Sequence, residues 1–369
     1  MAQVHDLGRY DPHDRGHHNK KGEQMPAPNT THDPAPRATR RAEFLATRPR
    51  RSGQSHRYLA ENPATGESLP VTLHADAKTT PTLMLEQSGR ATATVANAWA
   101  LPAGPPKLGG TCSRATQACQ SCYACSLEAA YPSLARMLIE NLTSLRTVAA
   151  HGTATLAAWL ESIVRASVAE QTAVGIARPT FRWHSDGDLG ALVGTGMDRR
   201  IYPRAIRRAC AATPEVAHWI YTRETWALPY LLNTPNLRVL VSVDRYNLTT
   251  ACHAAARHDV PIALLADDEQ HAAQMWQTIR TNWPTLAPQM DCPATSRWKQ
   301  DGRGPAHIVG PDGKRTTLER GQPAVGACVA CQACLPGGAA RSVTFHMHNP
   351  GNRMAAALNT RKRLQVTAL

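Results

Sequence analysis

From about residue 178 the chain alternates short β-branched, apolar runs with longer runs of helical period, and this alternation limits the fold most. The strand-like runs are Thr180–His184, His218–Thr222, Leu237–Val243, Pro261–Ala266 and Val343–His348. Between them, Met197–Ala212, Thr249–His258 and Ala272–Trp283 place apolar residues three and four apart, the spacing of a half-buried helix. Strands that alternate with helices predict a parallel sheet with crossover helices, in an α/β fold of (β/α) barrel-like form. Upstream, Leu134–Ala149 and Ala154–Val174 carry the same helical period. Thr79–Leu85 and Ala91–Val95 read as short strands, because Thr and apolar residues alternate there.

The ends of the chain differ in character. Residues 1–55 are polar, basic and rich in His, Pro and Arg without apolar period, and are expected to be a disordered tail. Residues 56–350 are expected to form a single catalytic domain, with 285–327 as a Pro-, Gly- and Asp-rich irregular insertion and 351–369 as a basic C-terminal tail. No apolar run approaches the roughly 20 residues of a membrane span. No apolar signal segment opens the chain, so a cytoplasmic protein with reduced thiols is expected.

Seven of the ten cysteines fall in two tight runs: Cys112, Cys119, Cys122 and Cys125, then Cys328, Cys331 and Cys334. Cys-x-x-Cys steps on one loop bring thiolates within reach of one soft metal ion, which favours zinc or iron–sulfur binding over a disulfide scaffold. The first run has enough thiols for a [4Fe–4S] cluster or a zinc ion. Its spacing is not the Cys-x-x-x-Cys-x-x-Cys of radical S-adenosylmethionine enzymes. The second run lacks a fourth ligand, and His346 is the expected one, with His348 on the same face of the last strand. Cys210, Cys252 and Cys292 read as isolated thiols.

In α/β folds the reactive residues collect at the carboxyl ends of the strands. Here those ends read Ser185-Asp186-Gly187-Asp188, Thr222-Arg223-Glu224, Asp244-Arg245 and Asp267-Asp268. Asp188, in a polar elbow, and Asp244, at the end of the most apolar strand, are the expected catalytic carboxylates. A carboxylate there costs free energy unless it has partners or a purpose. The competing reading is that each Asp simply caps the next helix. Arg182, His184, Ser185 and Arg223 are the expected substrate-binding groups, suited to a phosphate or carboxylate. The net charge of +13 favours a polyanionic partner such as DNA, and Arg37–Arg51, Arg199–Arg208 and Arg361–Arg363 concentrate that charge. No Walker loop, dinucleotide fingerprint or serine-hydrolase elbow is present.

Five segments together resemble the phage gene product 88 family. They are Cys119 to Ala124, Arg182 to Asp188, Trp219 to Arg223, Leu240 to Asp244, and the late cysteine run. Asp186 departs from the smaller residue expected before the Gly187-Asp188 pair. The order of parts is also similar to that of guanine transglycosylases, including phage enzymes that act on DNA. That resemblance implies a (β/α) barrel with Asp244 as nucleophile, Asp188 moving protons, and zinc on Cys328, Cys331, Cys334 and His346. It implies a glycosyltransferase that exchanges guanine for a 7-deazaguanine base in DNA and so protects phage DNA from restriction. The cysteines of the first run have no counterpart in those enzymes. Two other readings stand beside it: an iron–sulfur redox or radical enzyme acting on nucleotides or nucleic acid, and a zinc-stabilised nucleic-acid-binding protein.

Overall fold

The computed structural model describes residues 55–286 apart from 76–78, 81–82, 86–90 and 94. Beyond these it describes 289–292, 307–309, 315–317, 323–324, 327–338 and 342–346. The expected tails, 1–55 and 351–369, lie outside the described residues except for Ser55, which belongs to the first strand.

In chain order the strands are β1 (Ser55–Glu61), β2 (Ser68–His74), β3 (Leu83–Leu85), β4 (Ala91–Ala93), β5 (Ala98–Trp99), β6 (Thr180–Trp183) and β7 (Ala217–Thr222). They continue as β8 (Leu237–Val243), β9 (Ile262–Ala266), β10 (Gln289–Asp291), β11 (His307–Val309), β12 (Arg315–Thr317), β13 (Pro323–Ala324) and β14 (Ser342–His346). The α-helices are α1 (Tyr123–Ala130), α2 (Pro132–Ala149), α3 (Thr153–Ala173), α4 (Ile201–Ala212), α5 (Leu228–Leu231), α6 (Leu248–Arg257), α7 (Glu269–Asn282) and α8 (Ala327–Cys331).

A nine-stranded sheet runs in the order β1-β2-β5-β6-β7-β8-β9-β14-β10. From β5 onward every pairing is parallel. From β5 to β9 the order in space is the order in sequence, so each crossover moves one place in the same direction. Right-handed crossovers that all step the same way put their helices on one face of the sheet. The main core has that composition. It joins Phe181, Trp183, Ile220, Val239, Val241, Ile262 and Leu264 of the sheet to Leu145, Trp159, Leu160, Ile206, Cys252 and Trp276 of the helices. The opposite face carries Arg182, Trp219, Tyr221, Leu240, Ala263, Val343 and Phe345, which the register places in step.

The α/β class holds, and the barrel expectation is corrected. Among the described residues no pairing joins β10 back to β1 or β5, so the sheet is open with two edges. An antiparallel pair, β1 and β2, extends the β5 side. The region 285–327 is also less irregular than its Pro and Gly content suggests. It supplies β10 to the main sheet, the β11–β12 hairpin, and β13 paired with β3. No helix among the described residues is long and apolar enough to cross a membrane.

Two long helices show why the local sequence folds as it does. Pro132 opens α2, where its missing N–H costs no hydrogen bond. Leu138, Leu142, Leu145 and Val148 then form the buried stripe. In α3 the stripe is Leu156, Trp159, Leu160, Ile163 and Val164. Trp159 packs edge-on against Trp99 of β5 at 6.1 Å between ring centroids.

Candidate functional site

The chain leaves β5 in a loop, residues 100–122, that returns over the carboxyl ends of the parallel strands. Its backbone is stitched to the turn that follows β6. Ser185 N–H donates to Trp99 O (2.9 Å), Leu101 N–H to Asp186 O (3.0 Å) and Gly190 N–H to Thr111 O (2.8 Å). Only glycine fits at position 187. Its φ is +77°, and a Cβ there would meet Thr111 Oγ1 at 2.5 Å and Leu101 O at 2.6 Å. Gly187→Ala combines left-handed strain with overpacking and is expected to cost about 2–4 kcal/mol. Gly194 also has positive φ, but a Cβ there meets nothing within 4 Å, so Gly194→Ala should cost only about 1 kcal/mol. Urea unfolding of both variants checks the contrast, and equal losses would show that the stitched loop is not what Gly187 protects.

Three acidic residues hold this loop onto the strand ends. Asp188 follows β6 and is 4% exposed, Glu224 follows β7 and is fully buried, and Asp244 follows β8 and is 2% exposed. Asp188 accepts hydrogen bonds from Thr222 Oγ1 (2.6 Å), Leu189 N–H (2.8 Å) and Arg223 N–H (2.8 Å). Its own N–H donates to Thr111 Oγ1 (2.9 Å). Glu224 accepts from the Ser113 hydroxyl (2.5 Å), Arg114 N–H (3.0 Å) and the Trp226 indole (2.7 Å). Asp244 accepts from Thr116 Oγ1 (2.6 Å) and Tyr246 N–H (2.8 Å), and it pairs with Arg223 Nη1 at 2.5 Å. Burial, with the nearby Glu224 charge adding to it, pushes the Asp188 carboxyl up to about 7 against the pull of its donors. A carboxyl so placed can hold or release a proton near neutral pH. Burial opposes the charge on Arg223, but the Cys119 thiol and the Asp244 and Asp188 carboxylates outweigh it and keep the guanidinium protonated.

The thiols of the first run stand directly above these groups. Cys112, Cys119 and Cys122 lie within electrostatic reach of one another. Burial pushes the Cys112 thiol well up, and Asp188, Cys122 and Cys119 add to the effect. Cys122 precedes the first turn of α1 and moves the other way. The Cys125 thiol, then the amides of Cys125 and Ala124, donate to it and bring it down to about 6. Cys125 itself is fully buried beside Ala103 and Ala124. Tyr123 ties the same helix to the β6 turn, donating from its hydroxyl to Ser185 O at 2.8 Å. Among the described residues no group of three His, Cys, Asp or Glu side chains forms a ready ligand set for a metal ion.

The remaining expected residues divide between the two faces of the sheet. His184 is buried and in left-handed backbone at φ 58°. The Trp99 indole donates to the Tyr202 hydroxyl (2.9 Å), which sits 3.1 Å from His184 Nε2. Burial first, then Arg182, depress His184 to about 3 and keep it neutral. Arg182 lies on the sheet face opposite the crossover helices, with its guanidinium 5.4 Å from the Tyr221 ring centre and within electrostatic reach of Cys334 in the second cysteine run. The Ser185 hydroxyl is buried without a partner among the described residues. Asp267 pairs with Arg245 (3.0 Å), and Asp268 accepts from His271 N–H (2.7 Å) as the cap of α7, the ordinary fate of an Asp after a strand. Cys328 and Cys334 lie over the sheet face opposite the crossover helices, and Cys331 lies beside Cys334. The side chain of His346 and all of His348 fall outside the described residues.

The structure thus joins Asp188, Arg223, Asp244 and the first cysteine run in one mouth. It adds Glu224, Thr111, Ser113 and Thr116, which the sequence reading did not list as site residues. The signal for Glu224 was its place at the end of a strand beside Arg223. Nothing local marks the loop residues, because their partners are more than 70 positions away.

Neither the curated proteins nor the solved structures supply a match to the chain, so the likeness to guanine transglycosylases gains no support from relatives. A family model does match, over residues 72–337, which takes in the whole mouth and both cysteine runs. That span covers well over half of the chain, and the protein belongs to the gene product 88 family.

Proposed function

We propose that the mouth is the active site of an iron–sulfur enzyme that carries out redox or radical chemistry on a nucleotide or nucleic acid. One observation carries the reading. A thiol-rich loop follows the first parallel strand and is fastened over the ends of the next three: Thr111 Oγ1 accepts from the Asp188 backbone N–H after β6, Ser113 and Arg114 donate to the Glu224 carboxylate after β7, and Thr116 donates to the Asp244 carboxylate after β8. The donor set fits soft metal. Cys112, Cys119 and Cys122 would hold the cluster, and Cys125 would support Cys122 from behind. Bound there, an iron–sulfur cluster supplies or accepts single electrons.

The chain's own residues supply the rest. Arg223, fixed by Asp244, places a permanent positive charge beside Cys119 and offsets the negative charge of the thiolates. Asp188 holds or moves a proton at its carboxyl oxygens. Two arginine–aromatic stacks flank the mouth: Arg199 lies 4.5 Å from the Trp226 ring centre and Arg245 4.7 Å from that of Tyr246. Such pairs offer a base a flat surface and a phosphate a charge. With a net charge of +13 on the chain, they favour a nucleotide-like substrate.

Base exchange with Asp244 as nucleophile is the second reading, because Asp188 and Asp244 bracket Arg223 within one mouth. Against it, both Asp244 oxygens already accept hydrogen bonds. Anaerobic purification with iron, sulfide and visible-spectrum measurements separates the two. Iron with sulfide and a brown absorbance supports the first; colourless, iron-free protein overturns it. Loss of guanine exchange in Asp244→Asn alone, with folding intact, would establish the second.

A further inference from the structure

The second cysteine run takes no part in the mouth. Its turn is tightly closed: Gln332, just past α8, has left-handed backbone at φ 57°, and its N–H donates to Cys328 O at 2.9 Å. Leu335 N–H donates to Gln332 O (3.0 Å) and Gly338 N–H to Leu335 O (3.0 Å). A Cβ on Gly338 would lie 2.0 Å from Gln332 O, so the turn admits only glycine there. This turn seats Cys334 against Leu240, Ala263 and Val343, beside Tyr221 and Phe345.

A cysteine distant in sequence reaches the same place. Cys292 follows β10, is buried, and donates from its N–H to Thr344 O at 3.0 Å. The parallel register pairs Met290 with Val343 and Asp291 with Thr344. Continued by one residue, it sets Cys292 in step with Phe345, on the face where Cys334 packs. Cys334 accordingly feels the charges of both Cys292 and Cys331, and Tyr221 those of Cys334 and Cys328.

We propose that Cys292, Cys328, Cys331 and Cys334 form a second metal centre that holds one zinc ion, with Cys292 in the place that spacing alone assigns to His346. Four thiolates make a closed tetrahedral set, the form of structural zinc sites. On binding, each thiol releases its proton to solvent. The ion would tie β10, a three-residue edge strand, to α8 and to the sheet face opposite the crossover helices.

The test uses the full chain carrying Cys119→Ala and Cys122→Ala, so that only the second centre is counted. Zinc per chain is measured in that background, with Cys292→Ser or His346→Ala added. One zinc in the background, kept in His346→Ala and lost in Cys292→Ser, is the expected result. Zinc kept by Cys292→Ser and lost by His346→Ala, or a background without zinc, overturns the proposal. Should Cys292→Ser fail to fold, cobalt-loaded background protein gives the answer from its thiolate charge-transfer intensity. Four thiolates support the site, and three overturn it. The proposed iron–sulfur reading fails separately, on the iron content of the unaltered chain.

Discussion

Arg223→Met is expected to lower stability by about 3–5 kcal/mol, because it strands Asp244 in the interior without its cation. Arg223 and Asp244 side chains are 12% and 3% exposed, so their pairing is far from the solvated regime in which ion pairs contribute about 1 kcal/mol or less. The methionine matches the stem in length, which keeps the packing loss small. The Arg223 N–H still bonds Asp188, because that contact belongs to the backbone. The loss should therefore trace to Asp244. In a double-mutant cycle, Asp244→Asn added to Arg223→Met should recover much of the stability, since a neutral amide costs less to bury unpaired than a carboxylate. Denaturant unfolding of the four proteins measures this. A loss near 1 kcal/mol for Arg223→Met would mean the pair is solvated and does not organise the mouth.

The second large effect concerns the first cysteine run. Cys119→Ala with Cys122→Ala should abolish bound iron, visible absorbance and turnover together, while the protein stays folded. These two thiols are partly exposed and face the mouth, so truncation removes ligands rather than core. Cys125→Ala should behave differently. Cys125 is fully buried and donates to Cys122, so its loss takes away the strongest contribution that lowers the Cys122 thiol. That variant should bind iron more weakly, with the loss greatest at low pH, where Cys122 without its donor is protonated more readily. The comparison reads iron per chain and absorbance across pH. Retained iron in the double variant would remove the first run from the proposed site.

Local patterning determined much of this protein. Apolar period placed α2, α3, α4, α6 and α7 and the strands β6 to β9 within a few residues, because each must bury one stripe or one face against the same core. Strand ends pointed to Asp188 and Asp244, and cysteine spacing pointed to both thiol runs. The β1–β2 pair escaped, since Leu59 is 71% exposed and little in its strand resembles a buried face. The partners of His184 were not legible either: it reads as one more strand-end polar residue, and its left-handed backbone brings it into a chain with Tyr202 and Trp99. Tertiary structure alone decided that the sheet stays open, that the loop after β5 lands on Glu224 and Asp244, and that Cys292 comes to lie beside Cys334. Those outcomes depend on sheet register and on hydrogen bonds that span a hundred residues or more, and no local period in the chain encodes such pairings.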